Sequence, residues 1–265
     1  MATMSEKVRY KNPPIVERII GVYHQIPQDQ FEARLPSWAE KIRSDYPVSE
    51  PLAEWIIDIE SKGGVPFVKS LTPKARIIHV FWQRHPKGLH VRGMRLRRDR
   101  LVFHLCREEK DAHDFDELLP EMERWLPRWA EHFDVPDVGG ITLEYMNKLN
   151  ADVTPQFVEK GRLKIGEALT IFGKFPGPAK GITSPYDCKA RLVIDEAKPT
   201  FFDVRVRVDD AVPNGVRVDF AVRTSPAGKR LTFADAIAEL RSGHDIMLEQ
   251  FSCFFTEHAK VSFDK

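Results

Sequence analysis

Apolar residues recur at steps of three and four from Thr232 to Ser262: Phe233, Ile237, Leu240, His244, Met247, Leu248, Phe251, Phe255 and His258. Asp235, Glu239, Asp245, Glu249, Glu257 and Lys260 fall elsewhere on the wheel. This is the stripe of an amphipathic helix, with Thr232 as its N-cap. The stripe keeps its phase through Ser242-Gly243, which predicts one kinked helix or two nearly collinear ones there. A continuous helix of this length spans on the order of 45 Å and needs a sheet beneath its aromatic face.

Upstream, Asn12-Pro13-Pro14 forces an extended entry into Ile15 to Tyr23, where both faces are apolar, as in an inner strand. Phe31, Leu35, Trp38 and Ile42 form a helical stripe containing Pro36. Leu52 to Glu60 fits either a helix or a short strand. Three strands are predicted at Ala75 to Arg84, Leu89 to Leu96 and Leu101 to Cys106, the last two joined by a polar turn at 97–100. Phe115, Leu118, Met122, Trp125, Trp129 and Phe133 then mark a helix that Pro120 and Pro127 should bend or delay, before a strand at Ile141 to Leu149.

Asn150 to Lys164 is a connector. Four strands are predicted after it: Glu167 to Phe175, Tyr186 to Asp195, Phe201 to Asp210 and Val216 to Thr224, with a turn at Pro213-Asn214-Gly215. In the third, Phe202, Val204, Val206 and Val208 alternate with Asp203, Arg205, Arg207 and Asp209, so one face is wet. The expected class is α+β: two antiparallel-sheet units, each with helices packed on one face, closed by the long C-terminal amphipathic helix. The predicted organisation is a flexible N-terminus over 1–11, an α+β unit over 12–150, and a sheet plus long helix over 151–265.

Composition narrows this picture in a few ways. With 265 residues, 42% hydrophobic content and 17 Phe, the chain can bury a sizeable core. Cys106, Cys188 and Cys253 are widely spaced and odd in number, which argues against a disulfide framework or a zinc motif and for a reducing cytoplasm. No stretch is long and apolar enough to suggest a secretion signal or a membrane span. Charge is segregated. Net charge is +9 over 74–107 and −8 over 108–137.

Three stretches together resemble a sporadically distributed prokaryotic family of proteins of unknown function whose opening strand begins Asn-Pro-Pro-Ile-Val. Here they are Asn12 to Glu17, Ile141 to Asn147, and His244-Asp245 followed by Phe251 and Thr256. Glu144 stands where the middle strand of that family carries arginine. The resemblance implies a compact cytoplasmic two-part protein, inherited patchily in the manner of defence and mobile-island genes, with no catalytic residues established.

The strongest functional signal is a basic hairpin. Arg84, Lys87, Arg92, Arg95, Arg97, Arg98 and Arg100, interleaved with Trp82, His85 and His90, suit phosphates or an acidic partner unless the acidic 108–137 segment covers them. His244 and Asp245 form a weaker acid/base candidate, because His244 lies inside the apolar stripe and fits a core histidine bonded to a backbone carbonyl, with Asp245 at a helix start. His79, His104, Cys106 and His90 lack metal-binding spacing, so no metal site is expected. Glu196-Ala197-Lys198 and the glycine-rich 173–181 stretch lack the context of a nuclease or phosphate site. The leading expectation is a non-catalytic, cytoplasmic interaction protein, an accessory of a prokaryotic defence or toxin-antitoxin-like system, with no cofactor. A nucleic-acid-binding accessory using 84–100 is the alternative, and an enzyme around His244 and Asp245 the third reading. A protein partner is expected before nucleic acid, a homodimer is a further option, and a membrane is not expected.

Overall fold

The computed structural model describes residues 10, 13–62, 65–84, 90–106, 115–159, 162–170, 187–195, 200–209, 215–224 and 230–264. Along the chain come β1 (Ile15–Tyr23), α1 (Gln28–Ile42), β2 (Val48–Lys62), β3 (Val65–Arg84), β4 (His90–Arg97), β5 (Arg100–Cys106), α2 (Phe115–Phe133) and β6 (Gly140–Leu149). A short passage with β7 (Val158–Glu159), β8 (Arg162–Leu163) and α3 (Ile165–Ala168) follows. Then come β9 (Asp187–Asp195), β10 (Thr200–Asp209), β11 (Gly215–Thr224), α4 (Phe233–Phe254) and α5 (Glu257–Phe263).

The strands expected in two sheets pair into one antiparallel sheet of nine, in the order β2-β3-β4-β5-β1-β6-β11-β10-β9. β1 and β6 lie side by side in its interior, flanked by β5 and β11, then β4 and β10, then β3 and β9. The boundary expected near residue 150 falls at the end of β6, and the sheet continues across it because β6 pairs with both β1 and β11.

The helices cover one face. On α1, Phe31, Leu35, Trp38 and Ile42 are buried, and on α2 the stripe runs from Phe115 through Met122, Trp125 and Trp129 to Phe133. The two helices meet through Trp38 on Trp125, with ring centroids 5.9 Å apart, and Phe31 on Phe133, 5.7 Å apart. Pro36, Pro120 and Pro127 lie inside these helices without ending them. Each sits at an exposed position, where water can take the carbonyl whose helical partner is missing.

α4 lies across β6 and β11. Thr232 caps it, its Oγ1 accepting from the Asp235 amide at 3.1 Å. The helix runs unbroken through Ser242-Gly243, because Gly243 faces the sheet and an added Cβ would already touch Val222 at 3.4 Å. The break expected there occurs instead at Phe255-Thr256: Phe255 is extended, forms a bridge with Leu169, and Thr256 caps α5. Phe220, Phe251, Phe255 and Phe263 cluster beneath this corner. Burying each ring contributes roughly 1.5 to 3 kcal/mol.

One further expectation changes and one open reading is resolved. The strand predicted from Glu167 starts instead as the helical turn α3, and residues 171–186 lie outside the described set. Leu52 to Glu60 is strand. Bulges at Ala53/Trp55 and Asp58/Ile59 interrupt its pairing with β3.

His24, in the turn after β1, stacks on Trp129 at 4.3 Å. Burial lowers its pKa from 6.5 to about 3, against the opposing pull of the Arg100 and Arg98 backbone and of Asp99. Since the unfolded state binds this proton and the folded state does not, stability is full above pH 6.5 and falls as pH drops toward 3. Between pH 7 and pH 5 the native chain should lose about 2 kcal/mol more stability than a His24→Phe variant, as read by urea denaturation at both pH values.

Candidate functional site

Opposite the helices, one cross-strand row runs Trp82, Gly93, His104, Ile19, Glu144, Ala221, Asp203, Arg191. It divides this face into two zones. Over β6, β11, β10 and β9 the face is a lattice of opposite charges. Arg191 grips Asp203 through Nε at 2.6 Å and Nη2 at 2.9 Å, and Arg205 grips Asp187 at 2.8 and 2.5 Å. Arg223 bonds both Asp203 and Glu144, and Arg207 and Arg217 converge on Asp219. The Arg191 guanidinium, with Arg223 behind it, holds the Asp203 carboxyl below the usual carboxylate range. A depression of about 490 Å³ in this lattice is lined by Glu144, Lys189, Arg191, Asp203, Arg205, Asp219 and Arg223. Its charges alternate in sign, so it presents no single-sign field to a ligand.

The second zone is centred on β5 and β1. His104 and Cys106 point to the same side of β5, and Glu17 on β1 is the direct cross-strand partner of Cys106. His104 is 1% exposed, and its Nδ1 lies 3.0 Å from Glu17 Oε1. One ligand atom from each of Glu17, His104 and Cys106 falls within 4.8 Å of the others. The ring of His104 is held between Trp82, 4.6 Å away, and the bare backbone of Gly93, where a Cβ would come within 2.1 Å of Nε2. Burial lowers the His104 pKa against the pull of Glu17, and burial reinforced by the Glu17 charge raises the Cys106 thiol to about 12. The unmetallated thiol is therefore protonated and a poor nucleophile.

The basic hairpin does not converge on one surface. Arg92 turns to the helix face and pairs with Glu117 and Glu121 of α2. Arg97 pairs with Asp99, Arg100 covers the Tyr23 ring, and Arg98 borders a shallow hollow with Gln25, Ile26 and Pro27. Arg95 lies on the face of the second zone, opposite Val102. The side chains of Arg84 and Lys87 lie outside the described set, as do Glu196 to Lys198 and residues 173–181.

His244 and Asp245 diverge. His244 is buried, its Nδ1 2.8 Å from the Tyr145 hydroxyl and its ring stacked on Phe115 at 4.1 Å, whereas Asp245 is exposed. His244 lies in the core, as expected, and Tyr145 is a hydrogen-bond partner of its ring. Asp245 sits mid-helix and not at a helix start, because α4 does not break at Gly243. His79 lies in register with Leu96 on the helix side of the sheet, away from His104. The signal for the Glu17 cluster was His104-x-Cys106 on one strand face, but the glutamate becomes visible only once β1 and β5 are in register.

These features define an antiparallel α+β protein with one helix-covered sheet face and one polar face. Among the described residues no helix is long and apolar enough to cross a membrane. Comparisons with protein-family models, curated proteins and solved structures find no match.

Because the ring of His104 occupies the place of a side chain at position 93, Gly93→Ala should cost about 1 to 3 kcal/mol in chemical denaturation. Gly139→Ala, whose nearest neighbours lie 3.8 Å from the added carbon, should change stability by less than about 1 kcal/mol.

Proposed function

We propose that this chain is a non-catalytic interaction protein that takes an extended segment of a partner polypeptide along β9. The observation that carries this reading is the state of the sheet edge. Among the described residues β9 is the outermost strand on its side of the sheet, and Leu192, Val193 and Ile194 are 40%, 55% and 37% exposed. An edge strand offers main-chain donors and acceptors to another strand, and this one adds an exposed apolar run at its end. The opposite edge, β2, carries Pro51 and two bulges that blunt it. On β9 a single bulge against β10, at Ile194, leaves Asp187 to Val193 regular.

The regular part of β9 favours a different chain over a second copy. An antiparallel self-pairing centred on Ala190 sets Lys189 against Arg191 and one centred on Arg191 sets that residue against itself, whereas the registers centred on Leu192 or Val193, which set Lys189 or Arg191 against Asp195, run through the bulge at Ile194. A partner strand with acidic residues opposite Lys189 and Arg191, followed by apolar residues, meets none of these conflicts. The resemblance to a family distributed like defence genes fits a partner encoded nearby.

The arginines of the polar face are largely held by neighbouring carboxylates, which speaks against a phosphate-binding surface. Burial of His244 away from Asp245 speaks against acid/base catalysis there.

In a tagged capture from the host, a stoichiometric partner should be recovered by the native chain. Affinity should fall about tenfold or more with Leu192→Lys plus Val193→Lys, while circular dichroism and unfolding stay unchanged. Equal capture of the same partner by this variant overturns the edge as the docking site. Capture of only the same chain makes the partner a second copy.

A further inference from the structure

We propose that Glu17, His104 and Cys106 form a binding site for a zinc-type divalent metal ion, tying β1 to β5 on the polar face of the sheet. The donors come from two directly paired strands: Cys106 lies across from Glu17, and His104 sits two residues earlier on the same side of β5. Their ligand atoms already lie within 4.8 Å of one another, and the imidazole nitrogen and carboxylate oxygen are 3.0 Å apart. In a tetrahedral zinc site, with metal bonds of about 2.0 to 2.3 Å, neighbouring ligand atoms are on the order of 3.4 Å apart. Small side-chain rotations are enough to close the widest separation.

Orientation of the histidine is the second, independent observation. Gly93 lets the Nε2 end of the ring press against β4, within 2.1 Å of the place where a Cβ would stand, and Trp82 packs beside the ring at 4.6 Å. Nδ1 is the nitrogen turned toward Glu17, 3.0 Å from Oε1. A histidine that merely filled space would not need a glycine beneath it, because any apolar pair would pack there.

The donor set selects the ion. An imidazole, a thiolate and a carboxylate suit zinc, cobalt(II) or a similar borderline ion, while magnesium and calcium prefer oxygen alone. On binding, the Cys106 thiol releases its proton to solvent and its sulfur donates to the metal, while the His104 ring proton moves from Nδ1 to Nε2 to free Nδ1 as a ligand, with no change of oxidation state. Glutamate and thiolate then balance the charge of the divalent ion. Arg95 on the same face works against the cation, and the two anionic ligands outweigh it. Three protein ligands leave a fourth position open, as in zinc sites that hold water.

The test is a cobalt(II) titration of the full chain, freed of metal with a chelator and followed by absorption. One equivalent should bring in a near-ultraviolet thiolate-to-cobalt charge-transfer band and visible tetrahedral bands, both displaced by zinc. Cys106→Ser should abolish the charge-transfer band, and Glu17→Gln should weaken binding, with the unfolding curve measured without metal serving as the control for folding. If Cys106→Ser does not fold, a Cys188→Ser, Cys253→Ser variant decides the matter: with Cys106 as its sole cysteine it should keep the full charge-transfer band. Absence of the band, its survival in Cys106→Ser, or its loss in the Cys188→Ser, Cys253→Ser variant overturns the site.

Discussion

The pairing of β1 with β6 is the contact on which the rest of the structure depends. Ile20 and Val22 of β1 and Leu143 and Ile141 of β6 are fully buried under α2 and α4, and the strands on either side extend outward from this pair. A one-residue slip here moves every apolar side chain to the polar face and brings Glu17, Glu144 and the charged rows under the helices. The Tyr145–His244 hydrogen bond helps to fix that register, because it joins β6 to α4 through two buried polar groups that each need a partner.

One helix-covered face leaves two other surfaces to be managed. On the polar face, opposite charges are interleaved at cross-strand positions, so that most arginines meet a carboxylate at hydrogen-bond distance. Each such exposed pair contributes little to stability, about 0 to 1 kcal/mol, but together they hold the face wet and neutral. Edges are the harder problem. Proline and bulges blunt β2, whereas β9 keeps an exposed run of Leu192, Val193 and Ile194, which the proposed partner strand would cover.

Much of the architecture was legible because burial leaves periodicity. Phe202, Val204 and Val206 alternate with Asp203, Arg205 and Arg207 in the sequence, and the structure buries the first set and wets the second. The stripes of α1, α2 and α4 were equally plain. What was hidden depended on long-range pairing. Leu52 to Glu60 fits helix and strand alike until it is paired with β3, and the continuity of the sheet across residue 150 has no local signature. Pro120 and Pro127 sit at exposed positions off the buried stripe of α2, and the helix runs on past both. The same holds for function. The basic run at 92–100 looked like one surface, yet strand alternation sends Arg92 to one face and Arg95 to the other, and the Glu17–His104–Cys106 cluster joins residues nearly ninety positions apart.

Hydrogen–deuterium exchange of the captured complex against the free chain, followed peptide by peptide, tests the central claim most directly. Peptides covering 187–195 should gain protection on binding while those covering β2 and the 92–100 hairpin stay unchanged. Protection confined to the hairpin or to the helix surfaces, with β9 exchanging as in the free chain, would contradict a partner strand at that edge.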